Sequence, residues 1–223
     1  DIVCRGEGEE AVLELANALD SKENYYQINN LWFKRDNEII ENPVRSLIQD
    51  LDSLPFADFD YEDKYFIEDN KILKEEFAVN DLSDSFEIMT SRGCPFGCTF
   101  CCNNQLRSLY PKQKYLRRRS VKNVIEELML AKNKRKPMYI HFHDDVFTFD
   151  KKWIDCFTEL YKNEIKLPFW CNVHPKYTQN EIITTLKQAG LYGMTCGIQS
   201  GSDYITKEIF KRREKNDDII SCA

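Results

Sequence analysis

The sequence predicts an α/β fold, a partial (β/α) barrel, on three observations. From Phe86 onward, short apolar runs alternate with stretches of helical period. The helical stretches carry recognisable start and stop residues. A dense group of cysteines follows the first apolar run directly, at the strand end where such folds gather their functional groups.

Taken in order, "GEGEEAVLELANALD" reads as a turn leading into an amphipathic helix with Val12, Leu15 and Leu19 on its apolar side. "LWFKRDNEII" reads as a hairpin turning at Asp36-Asn37. Residues 41–85 are acidic, contain Pro43 and Pro55 and show no sustained period, which predicts a connecting segment. "FEIMT" is the first strand of the barrel. "SVKNVIEELMLAK" is a helix capped by Ser120 that buries Val121, Val124, Ile125 and Leu128. "MYIHF" is the second strand, and "DKKWIDCFTELYK" a helix capped by Asp150 that buries Trp153, Phe157 and Leu160. "FWCNV" is the third. Thr178 and Glu181 form a capping box ahead of Ile182, Ile183 and Leu186, and Gly190 ends that helix. "MTCGI" is the fourth strand, with Ser202 capping the last helix, "DYITKEIFKR".

With 223 residues, 42% of them hydrophobic, the chain can bury a sizeable core. No apolar run approaches the roughly 20 residues that cross a bilayer, and the N-terminus lacks the basic-then-apolar order of a secretory signal. A cytoplasmic protein is expected. The chain begins at Asp1 and stops at "DDIISCA" without a closing element, which reads as a piece of a longer protein. Its nine cysteines are odd in number and mostly scattered through apolar or helical segments, a pattern that fits reduced thiols better than a disulfide framework. The net charge of -6 combines an acidic first third with a basic stretch from Arg107 to Lys136. That stretch reads first as a solvated loop and helix face, and the overall acidity argues against general nucleic-acid binding.

The chemistry concentrates in "SRGCPFGCTFCC", which holds Cys94, Cys98, Cys101 and Cys102. Three readings of these thiols are open. Zinc would need Cys101 and Cys102 together, yet adjacent side chains point apart and structural zinc sites offer separated pairs. Plain buried thiols rarely cluster so densely beside glycine and proline. An iron-sulfur cluster suits the loop, because Gly93, Pro95 and Gly97 let thiolates curl around one centre while backbone amides face its sulfurs. Three cysteines on a 4Fe-4S cluster leave one iron open to a small molecule.

CxxxCxxC with an aromatic residue before the last cysteine, here Phe100, resembles the radical S-adenosylmethionine (SAM) superfamily. The likeness extends to "RRRSVKNVIEEL", "HFHDDVFTFDKKW", "WCNVHP" and "LKQAGLYGMTCGIQSGSD", which resemble blocks of its cobalamin-associated branch. "VCRGEGEEAVLELANAL" and "IQDLDSLPFADFD" are similar to the end of that branch's cobalamin-binding domain and to its linker. The resemblance implies residues 1–20 as the end of a cobalamin-binding-like domain, 21–85 as linker with a hairpin, and 86–223 as a radical SAM partial barrel cut short on its C-terminal side. It further implies a 4Fe-4S cluster on Cys94, Cys98 and Cys101, with Asp144 and Asp145 meeting the SAM amine. Gln199, Ser200 and Ser202 match the ribose-contacting stretch, and Phe100 would meet adenine. His174 stands where relatives often carry an arginine for the SAM carboxylate; a histidine departs from that pattern and leaves a neutral structural role open.

The function so implied is reductive cleavage of SAM to a 5'-deoxyadenosyl radical, in a cobalamin-dependent methyltransferase or a related radical enzyme. A small-molecule or natural-product substrate and a reductant such as flavodoxin or ferredoxin would accompany it. Two other classes stay open: an iron-sulfur electron carrier or sensor, which needs a fourth protein ligand, and an RNA-modifying radical SAM enzyme using Arg117 to Arg119.

Overall fold

The computed structural model describes residues 1–58, 65–74 and 84–222. The chain divides into two compact units, Asp1–Gln49 with Phe100–Tyr115, and Asp50–Thr99 with Leu116–Ala223.

The first unit holds β1 (Ile2–Cys4), α1 (Glu9–Asp20), β2 (Leu31–Arg35), β3 (Glu38–Glu41) and α2 (Cys102–Ser108). β2 and β3 form the expected hairpin, and Asp36 takes the positive φ of 54° that its turn requires. β1 adds antiparallel to β2, giving the order β1-β2-β3. The buried face of α1 differs from expectation. Ala11 is fully buried and Leu15 and Ala18 pack on Leu31 and Phe33, whereas Val12 and Leu19 are 57% and 54% exposed. The small alanine face sits against the three-stranded sheet, so the bulkier residues turn outward. Residues 100–115 join this unit through side chains that the sequence pattern does not show: the Glu7 amide donates to the Tyr110 hydroxyl (3.3 Å) and the Leu47 amide to Gln113 Oε1 (2.8 Å). Gly6, at φ +83°, lies against Tyr110 so closely that a Cβ there would fall 1.8 Å from the hydroxyl oxygen.

The second unit is built on four parallel strands. It contains β4 (Tyr65–Glu68), β5 (Lys71–Lys74), β6 (Ser85–Ile88), β7 (Ser91–Arg92), β8 (Arg117–Arg118), α3 (Val121–Arg135), β9 (Tyr139–Phe142), α4 (Lys151–Glu164), β10 (Phe169–Val173), α5 (Asn180–Ala189), β11 (Leu191–Cys196) and α6 (Asn216–Cys222). β11-β10-β9-β6 is the sheet order, with every neighbouring pair parallel. Alternation along each strand sends Phe86, Ile88, Ile140, Phe142, Phe169 and Cys171 to one face, where α3, α4 and α5 cover them. Phe157 and Tyr161 of α4 fill the middle of this layer, Phe157 standing edge-on to Phe142 at 5.4 Å. The opposite face carries Glu87, His141 and Trp170 at one level of the register. Trp170 lies over Gly193, where a Cβ would meet its ring at 2.1 Å, and its indole donates to Thr195 (2.8 Å). Met138, Tyr139, His141, Pro168, Trp170 and Tyr192 border a cavity of about 540 Å³ on this face.

Within the acidic segment that showed no period, β4 and β5 pair as an antiparallel hairpin turning at Asp69 and Asn70, both at positive φ. Residues 59–64 and 75–83 of that segment lie outside the described residues.

Two helix signals resolve differently from the sequence expectation. Thr178 is not the cap of α5, because its hydroxyl donates to the His174 carbonyl (2.9 Å) and Gln179 takes the N-cap position without a side-chain bond. The last expected helix is a single π turn, Ile205–Ile209, although Ser202 does accept from the Ile205 amide (3.4 Å). Gly190 ends α5 at φ 113° as expected. Ser120 and Asp150 accept from the Asn123 and Trp153 amides (both 3.1 Å) at the starts of α3 and α4. Ser120→Ala and Asp150→Ala are therefore expected to lower stability by about 1 kcal/mol each in urea denaturation, whereas Gln179→Ala stays within about 0.5 kcal/mol.

Candidate active site

Because β6, β9, β10 and β11 run parallel, the residues that follow them gather along one edge of the sheet. Thr90 to Cys98 follow β6, His143 to Asp145 follow β9, His174 follows β10, and Gly197 to Ser202 follow β11.

Asp144 is fully buried. Its carboxylate accepts from the Thr90 amide (3.0 Å), the Thr90 hydroxyl (2.7 Å) and the Ser91 hydroxyl. These three bonds fasten the start of the cysteine loop to the end of β9. Arg118 backs the arrangement from β8: its guanidinium donates to the Phe147 carbonyl (2.7 Å) and the Thr90 hydroxyl (3.2 Å), and lies 3.7 Å over the Trp153 ring. Burial pushes the Arg118 pKa down to about 10, while Asp144 and Asp150 act to hold its charge. Asp145 is exposed beside its buried neighbour.

In the loop itself, Gly93 has φ +88°, Cys94 is half-buried and Cys98 buried. Phe96 stacks on His174 at 3.9 Å. The first compact unit takes up the chain again at Phe100, which is 50% exposed, and at Cys101, whose sulfur accepts from the Asn103 amide group at 3.8 Å. All nine cysteines, each among the described residues, are thiols. Gln199 is exposed with φ 65°, Ser200 half-buried and Ser202 exposed, so this stretch presents polar groups along a tight bend.

His174 is buried. Its Nδ1 accepts from the Lys176 amide (3.2 Å), and Nε2 stands 3.3 Å from a Glu214 oxygen but out of line for a hydrogen bond. Burial pushes its pKa down to about 4, with Arg212 and Lys176 adding to the shift, so it is a neutral histidine near neutral pH. Arg212, also buried, pairs with Glu214 and donates to the Gly197 carbonyl (2.9 Å). Sequence reasoning missed Arg212 and Glu214, which look like the solvated end of a helix in "KRREK", and missed Thr90 and Ser91. Two polar residues directly after a strand were the only available signal for the latter.

On the open sheet face, Glu87 stands in contact with His143 and 3.3 Å from His141 Nδ1. Burial alone would raise the Glu87 pKa, but hydrogen bonds from Ser85 and His143 outweigh it and hold the group below the ordinary carboxylate value. His141 is held below the usual histidine value by burial and then by His143.

A parallel α/β sheet with a thiol-bearing loop at the carboxyl end of its first strand defines a (β/α)-barrel enzyme class. The Radical SAM superfamily profile matches residues 88–223, and the chain belongs to that superfamily. It is 32% identical over 214 residues to "Uncharacterized methyltransferase PH0819" of Pyrococcus horikoshii, covering 95% of this chain and 43% of that protein. It is 31% identical over 180 residues to cytidylyl-2-hydroxyethylphosphonate methyltransferase of Streptomyces wedmorensis, covering 77% of this chain and 31% of that protein. Among solved structures, the radical SAM methyltransferase TsrM of Kitasatospora setae, with cobalamin and a [4Fe-4S] cluster bound, shares the fold at a TM-score of 0.68 and 14% identity, covering all of this chain and 43% of TsrM. The chain thus spans less than half the length of each of these proteins. No helix among the described residues is long and apolar enough to cross a membrane.

Asp144→Ala would leave three donors at Thr90 and Ser91 without their acceptor, and is expected to cost about 3 kcal/mol or more in urea denaturation. His174 titrates near 4 in the folded chain against an ordinary 6.5. The unfolded chain therefore takes up a proton first, and this group's contribution to stability is lost as pH falls from about 6.5 toward 4. His174→Gln should flatten the pH dependence of the urea midpoint across that window.

Proposed function

We propose that the chain forms part of a cobalamin-dependent radical SAM methyltransferase, with Cys94, Cys98 and Cys101 holding a 4Fe-4S cluster and SAM bound beside it. The observation that carries this reading is the cysteine loop, fastened by buried Asp144 to the carboxyl end of a parallel sheet. Its donor set fits the cluster. Three soft sulfur donors lie within eight residues of sequence among glycines and a proline, and the Asn103 amide group donates to the Cys101 sulfur, a bond of the kind that tunes cluster potential. When bound, the cluster and SAM supply reductive cleavage of a carbon-sulfur bond to a 5'-deoxyadenosyl radical.

The chain's own residues would bind and orient. Asp144 spends both oxygens on the loop, so it positions the cysteines, while exposed Asp145 beside it presents a carboxylate to the SAM ammonium. Gln199, Ser200 and Ser202 offer polar groups to the ribose, and exposed Phe100 an aromatic face to adenine. Neutral, buried His174 braces Phe96 inside the loop rather than supplying a charge to the SAM carboxylate.

The cobalamin assignment draws on the TsrM likeness and on α1, whose exposed Val12, Leu13 and Leu19 suit residues 1–20 as the end of a cobalamin-binding-like domain. The start of the superfamily match at residue 88 supports a partial barrel from about residue 86, preceded by linker. A small-molecule substrate, a flavodoxin or ferredoxin reductant and a cytoplasmic setting complete the proposal.

Anaerobic reconstitution of the chain should give about four iron and four sulfide per polypeptide, lost on replacing Cys94, Cys98 or Cys101 by Ala. SAM should perturb the cluster's electron paramagnetic resonance spectrum, and Asp145→Ala should weaken that response at least several-fold while leaving the fold intact. A cluster indifferent to SAM would point instead to an electron carrier.

A further inference from the structure

The open face of the parallel sheet holds a side-chain group that the cysteine loop does not use. Glu87 of β6, His141 of β9 and His143 just beyond β9 each offer one ligand atom, and these atoms all lie within 4.8 Å of one another. The two imidazole rings are 4.0 Å apart, and both address the same carboxylate oxygen, Oε2 of Glu87. Its other oxygen accepts from the Ser85 hydroxyl at 2.5 Å, which fixes the carboxylate's orientation.

We propose that Glu87, His141 and His143 bind a divalent first-row transition cation. Metal-ligand bonds of about 2.1 Å in tetrahedral geometry keep two ligand atoms roughly 3.4 Å apart. The His141 Nδ1 to Glu87 Oε2 separation is 3.3 Å. Two imidazoles tilted at 39° to each other approach the same carboxylate oxygen; with His143 drawn back from its direct contact with Glu87, a cation held among the three groups would serve each of them. Two imidazoles and one carboxylate form a borderline donor set, which selects zinc, cobalt, nickel or copper ions over magnesium or calcium. Ser85 supplies the outer-shell hydrogen bond that such carboxylate ligands ordinarily receive. The side chains of Glu87 and His143 are 41% and 43% exposed, so an ion can enter from solvent. Three protein ligands leave a coordination position for water or a small ligand, and His141 also borders the aromatic cavity. No cysteine belongs to the group.

The test is a cobalt(II) titration of the full chain with its iron-sulfur cluster already reconstituted, so that the loop cysteines are engaged. The expected result is one tightly held cobalt per chain showing ligand-field bands without the strong near-ultraviolet charge-transfer band of thiolate ligation. His141→Ala and His143→Ala should each weaken binding by about tenfold or more. Glu87→Gln keeps the size of the side chain and removes its charge, and should weaken binding with circular dichroism unchanged. Absence of bound cobalt, a thiolate charge-transfer band, or equal affinity in the three variants would overturn the assignment.

Discussion

The candidate site depends on one buried carboxylate. Asp144 lies at the end of a central strand, out of reach of water, and can remain there only if its oxygens are satisfied. Thr90 and Ser91 satisfy them, and in doing so fix where the chain leaves β6 and where the cysteine loop begins. Arg118 holds the second tier, locked between Trp153 and the Phe147 carbonyl, with two of its guanidinium nitrogens finding no hydrogen-bond partner among the described residues. The loop that carries Cys94 and Cys98 is thereby tied to the strands covered by α3 and α4.

A comparable economy governs the far end of the site edge. His174, Arg212 and Glu214 form a buried group in which Arg212 pairs with Glu214 and burial keeps the histidine neutral near neutral pH. It stacks on Phe96 as a flat, uncharged plate. Burial is the main reason the ring resists protonation, and a positive charge there would in addition stand beside Arg212.

Much of this was legible in the sequence. Strands and helices from Phe86 onward were readable because apolar residues recur at the right periods, and Ser120, Asp150 and Gly190 marked helix ends by chemistry that acts locally. The cysteine loop stood out because so many thiols in so few residues have few uses. What escaped was decided by partners distant in sequence. Thr178 has the right spacing for a capping box, yet the His174 carbonyl captures its hydroxyl. Val12 and Leu19 lie on an apolar stripe, yet α1 turns Ala11, Leu15 and Ala18 to the sheet instead. Arg212 and Glu214 read as surface charge until the fold brings the Gly197 carbonyl to them. β4 and β5 carry too short a pattern to register against an acidic background.

The contact between Trp170 and Gly193 has an implication for how this fold could diversify. The indole occupies the space that any side chain at 193 would need, and its nitrogen is anchored to Thr195. Adding a single methyl group to the backbone there would displace the Trp170 ring, which borders the aromatic hollow. The volume and shape available on that surface are therefore set by one missing carbon atom, and sister proteins could acquire a differently sized chamber in a single mutational step.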